Sequence, residues 1–227
     1  MDPSAFDHQM AWLASHRRVV SLRVATRMMD ARGRLPSGIV AITFDDGFAS
    51  VHEHAVPTLL REGLEATMFI VANTLDEGAG LDWLEDPKAP RRPMSSARVL
   101  ELRDAGFEIG SHSYAHHDLT TLLDEEIVAD LRRSREVLED LVEGPVTLLA
   151  YPGGSNDERV RKAAGIAGFQ NSYAMADTER PGLPHAIPRA GLYRGQGTAT
   201  LKVKTSPWFW RMRASPVHPL IERLRAG

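Results

Sequence analysis

Residues 38–47 read GIVAITFDDG, an apolar run that passes directly into two aspartates and a glycine. A short apolar run bounded by turn residues predicts a buried strand, here over residues 38–44. The same pattern predicts strands at 66–71, 107–110, 146–151, 169–175 and 187–192. Helical patterns lie between them, at 56–61, 95–103, 124–142 and 157–164. Because strands that alternate with helices form parallel sheets with right-handed crossovers, we predict an α/β layered or barrel fold.

The composition restricts the class of protein. A length of 227 residues with 43% hydrophobic residues suits one large domain. The formal net charge of −3 gives no indication of a nucleic-acid partner. The absence of cysteine excludes a disulfide framework, a thiolate metal site and a cysteine nucleophile. Residues 1–9 have no apolar core, and no apolar run reaches the roughly 18 residues of a membrane span, so we expect a cytoplasmic protein.

Two histidines four residues apart, His112 and His116, follow the strand predicted at 107–110. Imidazoles at this spacing can point the same way and share one metal ion. Since the chain has no thiolate, a third protein ligand would be an oxygen, and two histidines with one carboxylate leave open positions for water and substrate. The alternative interpretation is a pair of ordinary surface histidines in a loop.

Two aspartates, Asp45 and Asp46, end the strand of residues 38–44 and precede Gly47. Adjacent carboxylates at a strand end repel each other, and a divalent cation offsets that repulsion. Successive residues point in different directions, so one carboxylate can bind the ion while the other faces its water. An ordinary turn after a strand is the alternative.

A third polar cluster, Tyr151-Pro152-Gly153-Gly154, follows the strand predicted at 146–151. Proline and glycine stiffen this turn and expose a backbone N–H, which could hold an oxyanion. A plain turn is equally compatible. The ends of parallel strands meet at one edge of the sheet, so we expect the three clusters to lie together.

These motifs resemble those of a known family. Residues 43–47 (TFDDG), 110–116 (GSHSYAH) and 151–154 (YPGG) resemble the first three motifs of the NodB-type polysaccharide deacetylases, carbohydrate esterase family four. The resemblance implies a distorted (β/α) barrel with fewer than eight repeats and a zinc-like divalent ion. It implies that the enzyme removes N-acetyl groups from an amino sugar and releases acetate.

The resemblance also implies individual roles. Asp45 would be the general base, and the metal ligands would be Asp46, His112 and His116. Tyr151 would offer its backbone N–H to the oxyanion.

Two positions depart from the family pattern. Many members have an arginine where this chain has Ala150. Arg189 matches an arginine of the branch that modifies exopolysaccharide or poly-N-acetylglucosamine, and could orient Asp45 instead. The usual late histidine, a general acid in a Leu-x-His context, has no clear counterpart; His185 is the candidate, and His218 lies in the tail. These departures keep two alternatives open: a metal-dependent C–N hydrolase of a small cyclic amide or imide, and a glycan-binding protein with a degenerate site.

We predict three regions: a helical lead-in at 1–37, a deacetylase-like domain at 38–195, and a basic, aromatic tail at 196–227. An irregular insertion at 78–92, with Trp83, interrupts the second region. The tail contains the aromatic run 208–210 among lysines and arginines, which would suit a membrane surface, a glycan or a partner subunit. We favour a C-terminal helix that packs its tryptophans on the barrel.

Overall fold

The computed structural model describes residues 2–75, 92–175 and 183–213. The helices are α1 (Pro3–His16), α2 (Leu22–Arg32), α3 (Val56–Glu62), α4 (Ser96–Asp104), α5 (Asp124–Val142), α6 (Glu158–Ile166), α7 (Thr198–Lys204) and α8 (Pro207–Arg213). The strands are β1 (Arg18–Val19), β2 (Ile39–Val40), β3 (Ile42–Phe44), β4 (Ala66–Ile70), β5 (Glu108–Ser111), β6 (Leu148–Ala150), β7 (Asn171–Met175) and β8 (Ile187–Arg189). A π-helical turn, Val51–Ala55, leads into α3.

Six parallel strands form the main sheet in the order β3-β4-β5-β6-β7-β8. The two edge strands are not paired with each other, yet Arg189 on β8 donates hydrogen bonds to Thr43 on β3 and to Asp45 just beyond it. The sheet therefore curls until its edges approach, which makes a half-barrel. This confirms the predicted distorted (β/α) barrel with fewer than eight repeats.

Strand β4 is buried on both faces, as expected for a parallel strand that helices cover. Met68 and Ile70 belong to the larger hydrophobic core beneath the helices. Phe69 packs inside the curl, with its ring centroid 5.8 Å from that of Tyr173. A Cβ on Gly110 would lie 2.5 Å from the Phe69 ring, so the glycine makes room for the inner core.

Helix α2 packs against the inner face of the sheet. Its Leu22 joins the inner core, and the hydroxyls of Thr26 and Tyr173 are 2.7 Å apart. Arg23 pairs with Glu108, the first residue of β5, at 2.9 Å. These contacts place α2 near the amino ends of the strands, away from the edge at which the polar clusters lie.

Most predicted elements are present with shifted ends. The helix at 124–142 has the predicted bounds, and α3 ends at Gly63, whose φ is +64°. The strand predicted at 38–44 is divided into β2 and β3 at Ala41, because β2 pairs with β1 while β3 pairs with β4. Strand β1 was not predicted, since two residues carry no periodic pattern.

Helix α7 packs beside α1, and α8 packs against α7. Leu201 of α7 is buried, and Gln9 of α1 donates to the Gln196 carbonyl at 2.8 Å. The tryptophans are not buried against the barrel as we expected: Trp208 is 58% exposed and Trp210 is 36% exposed. Within the described ranges, no helix combines the length and apolar character needed to cross a bilayer.

Parts of two predicted regions lie outside the described residues. They are the insertion at 78–91, with Trp83, and the tail from residue 214 onward, with His218. The region boundaries at 38 and 195 remain predictions.

Candidate metal centre

The chain turns sharply where β3 ends. Asp46 and Gly47 both have left-handed backbone angles, with φ of +70° and +68°. Glycine adopts this conformation freely, and aspartate is among the few other residues that enter it regularly. The turn sends the two carboxylates in different directions, Asp45 towards Arg189 and Asp46 towards His112.

His112 follows β5 directly and is 2% exposed. Its backbone N–H donates to the Ile70 carbonyl at 2.8 Å, which extends the pairing of β5 with β4. The side-chain Nδ1 lies 2.8 Å from the Ala150 carbonyl oxygen. Because a carbonyl only accepts, we assign the proton to Nδ1, and the Nε2 lone pair then faces Asp46.

Asp46, His112 and His116 converge. One Asp46 carboxylate oxygen lies 3.4 Å from His112 Nε2 and 3.2 Å from His116 Nε2. One ligand atom from each residue falls within 4.8 Å of the others. Two imidazoles and one carboxylate form the donor set of an open, catalytic type of metal site, so these residues fit a divalent ion.

The electrostatics of this cluster favour a positive charge. Burial by itself raises the pKa of Asp46, but its interactions with the imidazoles of His112 and His116 outweigh it and hold that pKa well below its usual range. Burial by itself lowers the pKa of His112, but the carboxylates of Asp45 and Asp46 outweigh it and raise that pKa. A cation at this place would replace the proton that the carboxylates attract.

Asp45 is held by Arg189. The guanidinium donates from Nη1 to Asp45 Oδ1 at 2.8 Å and from Nη2 to Oδ2 at 2.9 Å. Nη1 also donates to Thr43 Oγ1 at 2.9 Å, and the guanidinium lies over the Phe69 ring at 5.1 Å. Burial raises the pKa of Asp45, but the charge of Arg189 outweighs it and lowers the pKa, so the carboxylate stays ionised.

The Tyr151 backbone N–H, which we expected to face an oxyanion, is hydrogen-bonded within the sheet. Its backbone N–H donates to the Tyr173 carbonyl at 3.1 Å, since the pairing of β6 with β7 extends one residue further. Its buried side chain donates from the hydroxyl to the His185 carbonyl at 2.7 Å. The Tyr151 N–H is therefore engaged in the sheet. Within the described residues, the N–H of Gly153 in the following turn has no acceptor.

His185, the candidate general acid, lies away from the metal ligands. His185 precedes β8, so it lies near the amino ends of the strands, while Arg189 at the other end of β8 contacts Asp45. Its Nδ1 is 3.2 Å from Ser172 Oγ, and its ring lies against Gly165 of α6. Burial lowers the pKa of His185.

Asp130, which contacts the segment between the two histidines, was not identified from the sequence. The Asp130 carboxylate on α5 accepts hydrogen bonds from Tyr114 N–H at 2.9 Å and Ala115 N–H at 3.2 Å, between the two histidines. Nothing in the sequence distinguishes Asp130 from the other acidic residues of α5, because its role depends on how that helix packs.

The fold and the site together define an α/β half-barrel with a candidate mononuclear metal centre at the carboxyl ends of its strands. The chain belongs to the polysaccharide deacetylase family, whose sequence profile matches residues 32–172. This confirms the predicted family.

Individual proteins are similar over most of the chain. YxkH of Bacillus subtilis is 25% identical over 203 residues, which cover 89% of this chain and 64% of YxkH. The poly-beta-1,6-N-acetyl-D-glucosamine N-deacetylase of Staphylococcus aureus is 27% identical over 177 residues, which cover 72% of this chain and 58% of that protein. The chain thus spans less than two thirds of either relative. The structure of IcaB from Ammonifex degensii shares the fold, with a TM-score of 0.74, 21% identity and coverage of 90% of this chain and 89% of that one.

Proposed function

We propose that this protein is a metal-dependent hydrolase that removes N-acetyl groups from amino sugars in a polysaccharide, oligosaccharide or sugar conjugate and releases acetate. The observation that carries the proposal is the cluster of Asp46, His112 and His116 beside an ionised Asp45 held by Arg189. Family membership supports it, and so does the named activity of the Staphylococcus aureus relative.

Zn²⁺ is the ion that we propose, with Asp46, His112 and His116 as its protein ligands. A divalent ion there would act as a Lewis acid towards the acetamide carbonyl and would make water easier to deprotonate. The fixed tautomer of His112 supports this assignment, because the Ala150 carbonyl keeps the proton on Nδ1 and directs Nε2 to the cluster.

Asp45 is the proposed general base. Its carboxylate takes a proton from the attacking water while the water oxygen forms a bond to the acetyl carbon. Arg189 keeps the carboxylate ionised and fixes both of its oxygens. When the C–N bond breaks, the departing amine needs a proton, and we assign its return to Asp45, because His185 lies elsewhere.

Gly153 is the proposed backbone donor to the oxyanion, in place of Tyr151. Its N–H follows the carboxyl end of β6 and makes no hydrogen bond within the described residues. A donor aimed at the charge that develops in the transition state is worth about 10²–10³-fold in kcat.

The proposal is tested by measuring acetate release from β-1,4- and β-1,6-linked N-acetylglucosamine oligomers and from monomeric N-acetylglucosamine. We expect activity that a chelator abolishes and that Zn²⁺ restores. Asp45→Asn should bind the ion as before but lose about 10²–10⁴-fold in turnover, the usual contribution of a general base. Full hydrolysis after thorough chelation would rule the proposal out. The alternative of a glycan-binding protein does not explain why a partly buried arginine orients Asp45.

A further inference from the structure

Helix α5 contacts the segment that links the two histidines. The Asp130 carboxylate accepts the Tyr114 N–H at 2.9 Å with one oxygen and the Ala115 N–H at 3.2 Å with the other. One turn further along, the Ser134 hydroxyl is hydrogen-bonded to the hydroxyl of Ser111. The Arg133 guanidinium lies over the Tyr114 ring at 4.0 Å. Three neighbouring residues of one helix therefore hold residues 111–115.

The linking segment needs such support because its backbone is strained. Ser113 and His116 both have left-handed angles, with φ of +65° and +56°. Non-glycine residues are disfavoured in this region and persist only when their surroundings enforce them. Ser113 Oγ accepts the His116 N–H at 2.9 Å, which closes the turn. The N–H groups of Tyr114 and Ala115 point the other way, to Asp130.

The negative charge of Asp130 strengthens its contact with the strained segment. A carboxylate that accepts two consecutive backbone N–H groups forms two charge-assisted hydrogen bonds, which are about twice as strong as neutral ones. Asp130 is also half-buried between α5 and the segment, and this burial raises its pKa. The contact thus fixes the part of the chain that sets the spacing between the imidazoles of His112 and His116.

We propose that Asp130 is a positioning residue for the metal centre, acting through the Tyr114-Ala115 peptide to hold His112 and His116 at ligand spacing. The inference rests on the proposed metal-dependent function. Groups that orient metal ligands from outside typically contribute 10–100-fold, as an order of magnitude, to metal affinity. We expect a loss of about that size when the carboxylate is removed.

The test measures metal affinity without substrate. Zn²⁺ binding is determined by competition with a chromophoric chelator, and the visible absorption bands of bound Co²⁺ report the coordination geometry. Asp130→Ala should weaken Zn²⁺ binding about 10–100-fold and shift the Co²⁺ bands. Asp130→Asn, which keeps one acceptor oxygen, should have a smaller effect in the same direction. Asp140→Asn, an exposed residue of the same helix, is the matched control and should change neither property.

The outcomes separate this inference from the proposed function. If the wild-type chain binds neither ion, the proposed function fails and this inference with it. If the wild type binds and Asp130→Ala binds equally well with unchanged Co²⁺ bands, only this inference is overturned. It is also overturned if Asp130→Ala and Asp130→Asn both fail to fold, since Asp130 would then be needed for folding rather than for the metal site.

Discussion

At the scale of single residues, the pairing of Asp45 with Arg189 distinguishes this site. Many relatives are expected to hold the base from the position of Ala150, but here that residue is buried and its carbonyl orients His112. The guanidinium arrives instead from β8, across the open edge of the half-barrel. The backbone of Ala150 thus supports a proposed metal ligand, while the base is held from β8.

Arg189→Lys tests this role. Lysine keeps the positive charge but lacks the planar fork that binds both carboxylate oxygens. We expect kcat to fall by about 10²-fold, the cost of a misplaced reacting group. Zn²⁺ affinity should not change, because Arg189 contacts none of the three proposed ligands through a hydrogen bond. A normal kcat in a folded Arg189→Lys chain would show that the bidentate contact is dispensable.

At the scale of elements, the inner face of the sheet depends on close packing between neighbouring strands. Phe69 of β4 occupies the space that a side chain at Gly110 of β5 would need. Helix α2 covers the same inner face through Leu22 and Thr26, and the Thr26 hydroxyl also donates to the Leu22 carbonyl at 3.0 Å. The inner core is therefore assembled from a strand pair and a helix that are distant in sequence.

Gly110→Ala should destabilise the fold. The added Cβ would lie 2.5 Å from the Phe69 ring, and overpacking of this kind costs about 1–3 kcal/mol. Chemical denaturation should show the lower free energy of unfolding. In Gly110→Ala/Phe69→Leu the smaller side chain should recover part of that loss relative to Phe69→Leu alone; strictly additive effects would contradict the packing explanation.

Tyr173 should make the contact between α2 and β7 sensitive to alkali. Burial raises the pKa of Tyr173 to about 12, against an ordinary value of 10.0, although the hydrogen bond with Thr26 lowers it. The neutral hydroxyl therefore contributes stability that is complete below about pH 10 and is lost as the pH rises towards about 12, roughly 3 kcal/mol in all. Absorbance at high pH should show a late tyrosine ionisation that is missing from Tyr173→Phe.

Tyr173→Phe tests whether Tyr173 causes this loss of stability at high pH. It keeps the ring in the inner core and lets the Thr26 hydroxyl donate to the Leu22 carbonyl, so the loss near neutral pH should be about 1 kcal/mol. Between about pH 10 and 12 the variant should lose less stability than the wild type. Equal losses in both chains would remove Tyr173 as the cause.

At the scale of the whole molecule, the site joins three distant parts of the sheet. Asp46 follows β3, the histidines follow β5, and Ala150 ends β6. An ion shared by Asp46, His112 and His116 would therefore tie together strands that are separate along the chain. Loss of the ion should therefore destabilise the entire half-barrel.

Chelation should lower the melting temperature. A ligand at 100 times its Kd stabilises the native state by about 2.7 kcal/mol. For a chain of this size that corresponds to roughly 5–10 °C. Calorimetry with and without chelator should show the shift in the wild type and in Asp45→Asn, but not in Asp46→Asn. A shift of the same size in Asp46→Asn would place the ion elsewhere.

Local patterns were sufficient to predict where most strands lie and to select the three candidate ligands. An apolar run followed by two aspartates and a glycine specifies a strand and a turn within ten residues, and the histidine spacing lies within five. Helix α5 was predicted with its correct bounds because its apolar face and the stop at Gly144-Pro145 are also local signals. These features need only neighbouring residues to form.

Only the tertiary structure decided the partners of the remaining groups. The Tyr151 N–H is engaged because β6 pairs with β7 at one particular register, and His185 lies at the far end of β8 because that strand runs parallel to the others. Asp130 reaches the histidine segment because of the way α5 packs, and Arg189 reaches Asp45 because the sheet curls. Register, packing and curvature arise from contacts between residues far apart in sequence, so no short stretch of the chain encodes them.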